Sequence, residues 1–186
     1  KPRRHRPYHK LPAIAAVPAD LKIRTAHGTV GLRPAAGGPS EEAFLYLLFA
    51  SNRAAEMALM PLAQKHKEFL LQVQFRSMHE TYRRNFPDAR YEIIEIDRWP
   101  VGRIVSEVQP DCVYYIDFAL LPQAQGIGIG TTVLAAALEE PRRLGLPARL
   151  RSFSYNPAAQ RIYDKLGFRA LAEQPPYVLL EWRAER

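Results

Sequence analysis

Apolar positions follow two different periods along this chain. Short β-branched and aromatic runs or apolar–polar alternation mark strands at residues 29–34, 91–96, 101–108, 113–121, 149–155, 169–173 and 177–182. Helical spacing marks residues 43–57, 62–85, 131–138 and 158–166. In the second of these helices Phe69, Leu70, Val73, Phe75 and Met78 carry the apolar side, and Lys65, Lys67, Arg76, Arg83 and Arg84 a solvated one. Breakers separate the elements: Pro34, Gly37-Gly38-Pro39, Pro61, Phe86-Pro87-Asp88, Gly145-Leu146-Pro147 and Pro175-Pro176. Ser40, followed by Glu41 and Glu42, is the expected cap of the first helix. Asn156 and Pro157 start the last helix, and Gly167 ends it. Asp97-Arg98-Trp99-Pro100 is the expected turn of a hairpin, and three successive strands from residue 91 form an antiparallel meander. The element order is β, α, α, β, β, β, α, β, α, β, β. Residues 1–22 are interrupted by Pro2, Pro7, Pro12 and Pro18 and form an arm without regular structure. Residues 23–186 form one domain.

The stretch from Val113 to Ala137 carries the strongest chemical signal. Pro122 ends its strand, Gly126, Gly128 and Gly130 follow at alternate positions, and a helix begins at Thr131. A glycine loop that opens a helix offers bare backbone N–H groups and the positive end of the helix dipole, a natural seat for phosphate. A nucleotide P-loop is excluded, because no Lys precedes Thr131. A dinucleotide fingerprint is excluded too, because the third glycine position is Thr131 or Val133. The pattern present is Gln125-x-x-Gly128-x-Gly130, directly after the strand that ends Phe118-Ala119-Leu120-Leu121-Pro122. In this it resembles the acyl-CoA loop of the GNAT superfamily of N-acetyltransferases. Asn156-Pro157-Ala158-Ala159-Gln160-Arg161-Ile162-Tyr163-Asp164-Lys165-Leu166-Gly167-Phe168 resembles a second motif of that family, and Val101-Gly102 in the hairpin is a third echo. The resemblance covers about residues 29–182 and matches the element order.

The resemblance implies an α/β fold: a single mixed, mostly antiparallel sheet of about seven strands, flanked by four helices and splayed between its fourth and fifth strands. It implies acetyl-CoA as co-substrate, no metal, and transfer of the acetyl group to a primary amine by direct attack in a ternary complex. Phe118, Ala119 and Leu120 would offer backbone groups of the splayed edge to pantetheine. The backbone of Gln125, Gly126, Ile127, Gly128, Ile129, Gly130 and Thr131 would hold the pyrophosphate. Asn156 would cap its helix and bond the pantetheine arm. Tyr163 would hand a proton to the departing thiolate; its other reading is a packed ring on a half-buried helix. Ile127 departs from the Lys or Arg often found there, so Arg161 or Lys165 would have to supply a cation. An amine with a pKa of about 10.4 needs a proton acceptor. Asp117 and Glu95 are the candidates, either of which could instead be a paired charge. Strand alternation sets Asp117 opposite Tyr114, Ile116 and Phe118. A non-catalytic acyl-CoA-binding or partner-binding module on the same fold is the alternative.

Charge and composition add limits. The formal net charge is +7. Most of it comes from Lys1, Arg3, Arg4, Arg6 and Lys10, so the basic character belongs to the arm, read as a solvated segment with contact to nucleic acid as the lesser reading. No apolar run approaches a membrane span and no secretory leader pattern is seen, so a soluble, cytoplasmic monomer or homodimer acting on a small-molecule or peptide amine is expected. Cys112 is the only cysteine and falls at a turn, which excludes a disulfide framework and disfavours an acyl-cysteine intermediate. His27, His66 and His79 lack metal-ligand spacing.

Overall fold

The computed structural model describes residues 21–184. The basic arm lies almost wholly outside the described residues. Along the chain come β1 (Lys22–Thr25), β2 (Gly28–Pro34), α1 (Pro39–Ser51), α2 (Ala54–Leu59), α3 (Gln64–Asn85), β3 (Arg90–Ile96), β4 (Trp99–Val108) and β5 (Val113–Leu120). A 3-10 turn at Pro122–Ala124 leads to α4 (Ile129–Ala137), α5 (Glu139–Leu144), β6 (Ala148–Phe153), α6 (Pro157–Leu166), β7 (Arg169–Gln174) and β8 (Tyr177–Trp182). The strands form one sheet in the order β1-β2-β3-β4-β5-β6-β8-β7. Every neighbouring pair is antiparallel except β5 with β6. No helix among the described residues is long and apolar enough to cross a membrane.

The strand β1 was not expected. It is short and polar, with Lys22 and Arg24 exposed, and it exists because β2 offers it an edge to pair with. The expected helix over residues 43–57 is two helices. Asn52 ends α1 and donates its side-chain amide to the Leu48 carbonyl at 2.9 Å, and Arg53 leaves helical geometry before α2. Ser40 does not cap α1: Gly38 does, at φ 94, with Pro39 as the first helical residue, where a missing N–H costs nothing. Pro141 sits in the first turn of α5, where N–H groups have no helical acceptor. The hairpin turn is tighter than expected. Asp97 (φ 48) and Arg98 (φ 72) make it alone, and Trp99 and Pro100 already pair with β3. Asp97 holds this strained geometry by accepting from the Thr29 N–H through its carboxylate (2.8 Å) and donating its own N–H to the Thr29 carbonyl (2.9 Å).

Two apolar clusters hold the layers. The larger joins Val30, Ile94, Ile104, Tyr115 and Leu150 of the sheet to Val133 and Leu134 of α4 and to Phe168. The smaller joins Phe49, Met57, Leu71 and Phe75 of α1, α2 and α3. Neighbouring residues of β5 show which layer covers which face. The Tyr115 hydroxyl donates to the Ala137 carbonyl of α4 at 2.7 Å, whereas Tyr114 stacks on Phe86, just beyond α3.

Then the alternation breaks. Val105 faces Asp117 while Ser106 faces Tyr115, so Ile116 is an extra residue in β5. This bulge corrects the expected placement of Asp117. The residue does lie opposite Phe118, but it shares the α3 face with Tyr114. Just there β5 and β6 part: they pair only over Val113–Tyr115 and Ala148–Leu150. The remaining half of β5 has no strand on that side.

Gly102 in β4 lets the strands approach at this point. A Cβ on it would stand 2.5 Å from the Ala119 carbonyl oxygen and 2.6 Å from Leu120 Cδ2. Gly102→Ala is therefore expected to cost roughly 1–3 kcal/mol by overpacking. At about 2–4 °C per kcal/mol for a chain of this size, thermal unfolding should show a drop of several degrees.

Candidate active site

Two recesses open along the freed edge of β5. The first, of about 190 Å³, lies in the gap between β5 and β6 and reaches Asp117, Phe118, Arg151, Asn156 and Tyr163. The second, of about 510 Å³, continues from Phe118, Ala119 and Leu120 to the glycine loop and the outer face of α6.

The strand edge comes first. The Leu121 N–H donates to the Val101 carbonyl at 2.8 Å, on the β4 side. Peptide groups alternate along a strand, so those of Ala119 face β4 and those of Phe118 and Leu120 face the gap. This corrects the expectation for Ala119, whose groups are turned to β4, and of the four groups of Phe118 and Leu120 one is not free either. The Leu120 carbonyl accepts from the side-chain amides of Asn52 (3.0 Å) and Gln125 (2.9 Å), and Gln125 also donates to Asn52 Oδ1 at 2.9 Å. The Gln125 side chain thus braces the loop against α1 and β5.

The three glycines of the loop have different physical reasons. Gly126 (φ 75) and Gly128 (φ 89) adopt left-handed backbone that other residues avoid, and a Cβ on either would meet nothing within 4 Å. Their open sides make a cradle. Gly130 is instead a packing residue, its Cβ position 3.1 Å from Ile162 Cδ1 of α6. Ile129 is buried and anchors the helix, Ile127 is exposed, and Thr131 lines the second recess. Gly128 caps α4, whose first-turn N–H groups have no acceptor inside the helix. Arg161 and Lys165, one turn apart on α6, stand on the wall of that recess. The cation missing at position 127 is therefore available from the opposite wall. Cradle, orphan N–H groups, two cations and an open strand edge fit a pyrophosphate joined to an extended amide chain.

Asn156 caps α6, its Oδ1 accepting from the Ala159 N–H at 3.1 Å, and it lines both recesses. Tyr163, one of the most enclosed side chains of α6, packs edge-on against Phe168. Burial, with a smaller contribution from the Asp117 charge, pushes its phenol up to about 12, against a hydrogen bond with Ser152 that lowers it. The proton therefore stays on the phenol at neutral pH.

Asp117 is an ion-paired charge. Arg103, almost wholly buried in β4, donates through Nε to Asp117 Oδ2 at 2.8 Å. Its Nη1 lies 3.1 Å from His79 Nε2 on α3. Burial first, and then the Arg103 and Arg83 charges, hold His79 down at about 4. The ring is neutral at pH 7, so its Nε2 accepts from Arg103. In the unfolded chain the same ring titrates near 6.5. The unfolded state then binds the extra proton first, so stability is expected to fall as pH drops from about 6.5 towards 4. Melting curves across that range check this, and His79→Gln should flatten the slope.

Glu95 is committed elsewhere, accepting from Arg33 Nε at 2.7 Å, while Arg33 also pairs with the buried Glu41 at 2.7 Å. Cys112 is buried and its thiol is pushed up by burial. Sequence reasoning missed Asn52, Arg103 and His79. Arg103 left a readable signal, a charge inside the apolar run Val101–Val108 of a central strand.

Solved structures of similar fold include the PaiA N-acetyltransferase of Thermoplasma acidophilum in complex with coenzyme A, with 16% identity, a TM-score of 0.62, and coverage of 83% of this chain and 99% of that one. RimJ of Mycobacterium smegmatis, in complex with CoA-disulfide, has 17% identity and a TM-score of 0.60 over 90% of this chain and 89% of its own. PH1933 of Pyrococcus horikoshii OT3 has 15% identity and a TM-score of 0.60, over 84% and 99%. At these identities the likeness is one of fold. A search of curated proteins finds no match. The model of the Acetyltransferase (GNAT) family matches residues 58–168, more than half of the chain, from the end of α2 through the loop and both site motifs, and the chain belongs to that family.

Proposed function

We propose that this protein is an N-acetyltransferase that uses acetyl-CoA and a primary amine, with direct attack of the amine in a ternary complex. The observation that carries the reading is continuity. The bare edge of β5 runs from the glycine cradle to the gap above Tyr163. The first-turn N–H groups of α4, with Arg161 and Lys165, would hold the pyrophosphate. The N–H of Leu120 and the carbonyl of Phe118 would pair with the pantetheine amides as an added strand does. Bound there, acetyl-CoA would supply the activated acyl carbonyl, which the Phe118 N–H would polarise. Tyr163 holds a proton at its hydroxyl for the sulfur as the carbon–sulfur bond breaks. The same desolvation that holds the phenol's proton acts on the departing thiolate and raises its demand for one.

Of the residues lining the two recesses, Asp117 is the only carboxylate. In this reading it receives the amine's proton, with Arg103 fixing its orientation. Asp117→Asn keeps the shape and removes the acceptor, so the acid limb of the kcat/KM profile against pH should vanish with it. If the limb persists unchanged, Asp117 serves Arg103 alone. The general test is a screen of amine acceptors with acetyl-CoA, following release of free thiol. Tight acetyl-CoA binding without acetylation of any amine would leave a non-catalytic acyl-CoA-binding module.

A further inference from the structure

On the α3 face of the sheet, beside the gap, the charges do not balance. Asp117 and Arg103 neutralise each other. His79 is neutral, and burial raises the Tyr82 phenol, so it too is neutral. One cation remains. Arg53, between α1 and α2, is half-buried, with its guanidinium carbon 3.7 Å from the centroid of the Phe49 ring. Its only side-chain hydrogen bond among the described residues is a long one, 3.5 Å, to the Phe49 carbonyl. No carboxylate of the described residues comes within ion-pair distance of it; Glu56, exposed on α2, and Asp117 act on it only from farther away. Burial outweighs them and lowers its pKa, the mark of a charge that lacks compensation. The position is not incidental to the site. The neighbouring Asn52 bonds the Leu120 carbonyl on the open edge, and Arg53 shares the electrostatic surroundings of Asp117, Tyr82 and Arg103.

We propose that the acceptor is an amine that also carries an oxyanion, a carboxylate or a phosphate, and that Arg53 receives it. This rests on the N-acetyltransferase reading above and names its substrate class. A half-buried guanidinium lacking an anion is costly, and a bound oxyanion offsets that cost with charge-assisted, bidentate hydrogen bonds. A plain ammonium would meet the uncompensated Arg53 charge and be repelled; an amine with its own anion would not. Once seated, its nitrogen feels the same positive field, which favours the neutral, nucleophilic form. The phenyl ring of Phe49 holds the guanidinium plane in place before the ligand arrives.

The test is a panel of amines of several chain lengths, each supplied as the carboxylic acid, as the phosphate ester and as the neutral amide or alcohol, with thiol release followed. The acidic members should exceed their neutral partners in kcat/KM by roughly tenfold to hundredfold, the range of one charge-assisted hydrogen bond. Arg53→Gln should erase that ratio by raising KM for the acidic acceptors, with the KM for acetyl-CoA unchanged, and Arg53→Lys should restore part of it. A residue that merely props the end of α1 would shift stability without touching the ratio. Preference for either oxyanion supports the proposal and says which one is taken. Neutral amines acetylated as well as acidic ones, or a ratio unaltered in Arg53→Gln, overturns it and leaves N-acetyl transfer standing. No acetylation of any member, with acetyl-CoA still raising the melting temperature, removes both.

Discussion

Tyr163→Phe should reduce turnover by at least about tenfold, and by as much as the roughly 10² to 10⁴ typical of general acid catalysis, while acetyl-CoA affinity changes little. The substitution keeps the ring, and the ring is what packs: it meets Phe168 edge-on at 5.6 Å between centroids and is held within the larger core. Only the hydroxyl is lost, together with its bond to Ser152. A fall in kcat with an equal fall in kcat/KM would mark an interaction made mainly in the transition state. The direction of the phenol's shift adds a second readout. With its proton held up to about 12, Tyr163 should put no alkaline limb on the pH profile in the neutral and mildly basic range. A phenylalanine variant that turns over like the parent would make Tyr163 a packing residue and give the proton to solvent or to another group.

What could be read in the sequence divides along physical lines. Elements with strong internal periodicity, such as β3, β4, β5 and α3, lie close to their expected bounds, because burial of one face dictates their pattern. The glycine loop was legible because positive φ and an open side leave a glycine requirement at Gly126 and Gly128. Features set by a partner elsewhere in the chain were not legible. β1 forms because of the edge of β2, and the break at Asn52 is fastened by the Leu120 carbonyl, 68 residues away in sequence. The bulge at Ile116 leaves no mark in composition, yet it alone turns Asp117 to the α3 face and delivers it to Arg103. Position 127 stands between the two cases. The sequence names Arg161 or Lys165 as the substitute for its missing cation, and α6 sets both on the wall of the recess. The separation of β5 from β6 after three paired residues is expected through the family resemblance and not from any local pattern, since it depends on two strands distant in sequence.

Gly128→Val should abolish stabilisation by acetyl-CoA. A ligand that binds only the folded chain adds about 2.7 kcal/mol at a hundredfold excess over its Kd. For a chain of this size that is a rise of roughly 5–11 °C in melting temperature. At position 128 the protein itself leaves room, since a Cβ meets no atom within 4 Å. The added side chain would therefore stand in the cradle, beside the orphan N–H groups at the start of α4, where phosphate is expected. The substitution also strains the backbone, because φ 89 is unfavourable for a β-branched residue and costs on the order of 1–3 kcal/mol. Strain alone lowers the melting temperature of the free variant but leaves the ligand's increment intact. Gly145→Val separates the two effects. Gly145 is likewise left-handed, at φ 67, with nothing within 4 Å of its Cβ position, but it ends α5 and lines neither recess. Both variants should melt earlier than the parent, and only Gly128→Val should lose the rise with acetyl-CoA. An undiminished rise in Gly128→Val would move the phosphate site away from this loop.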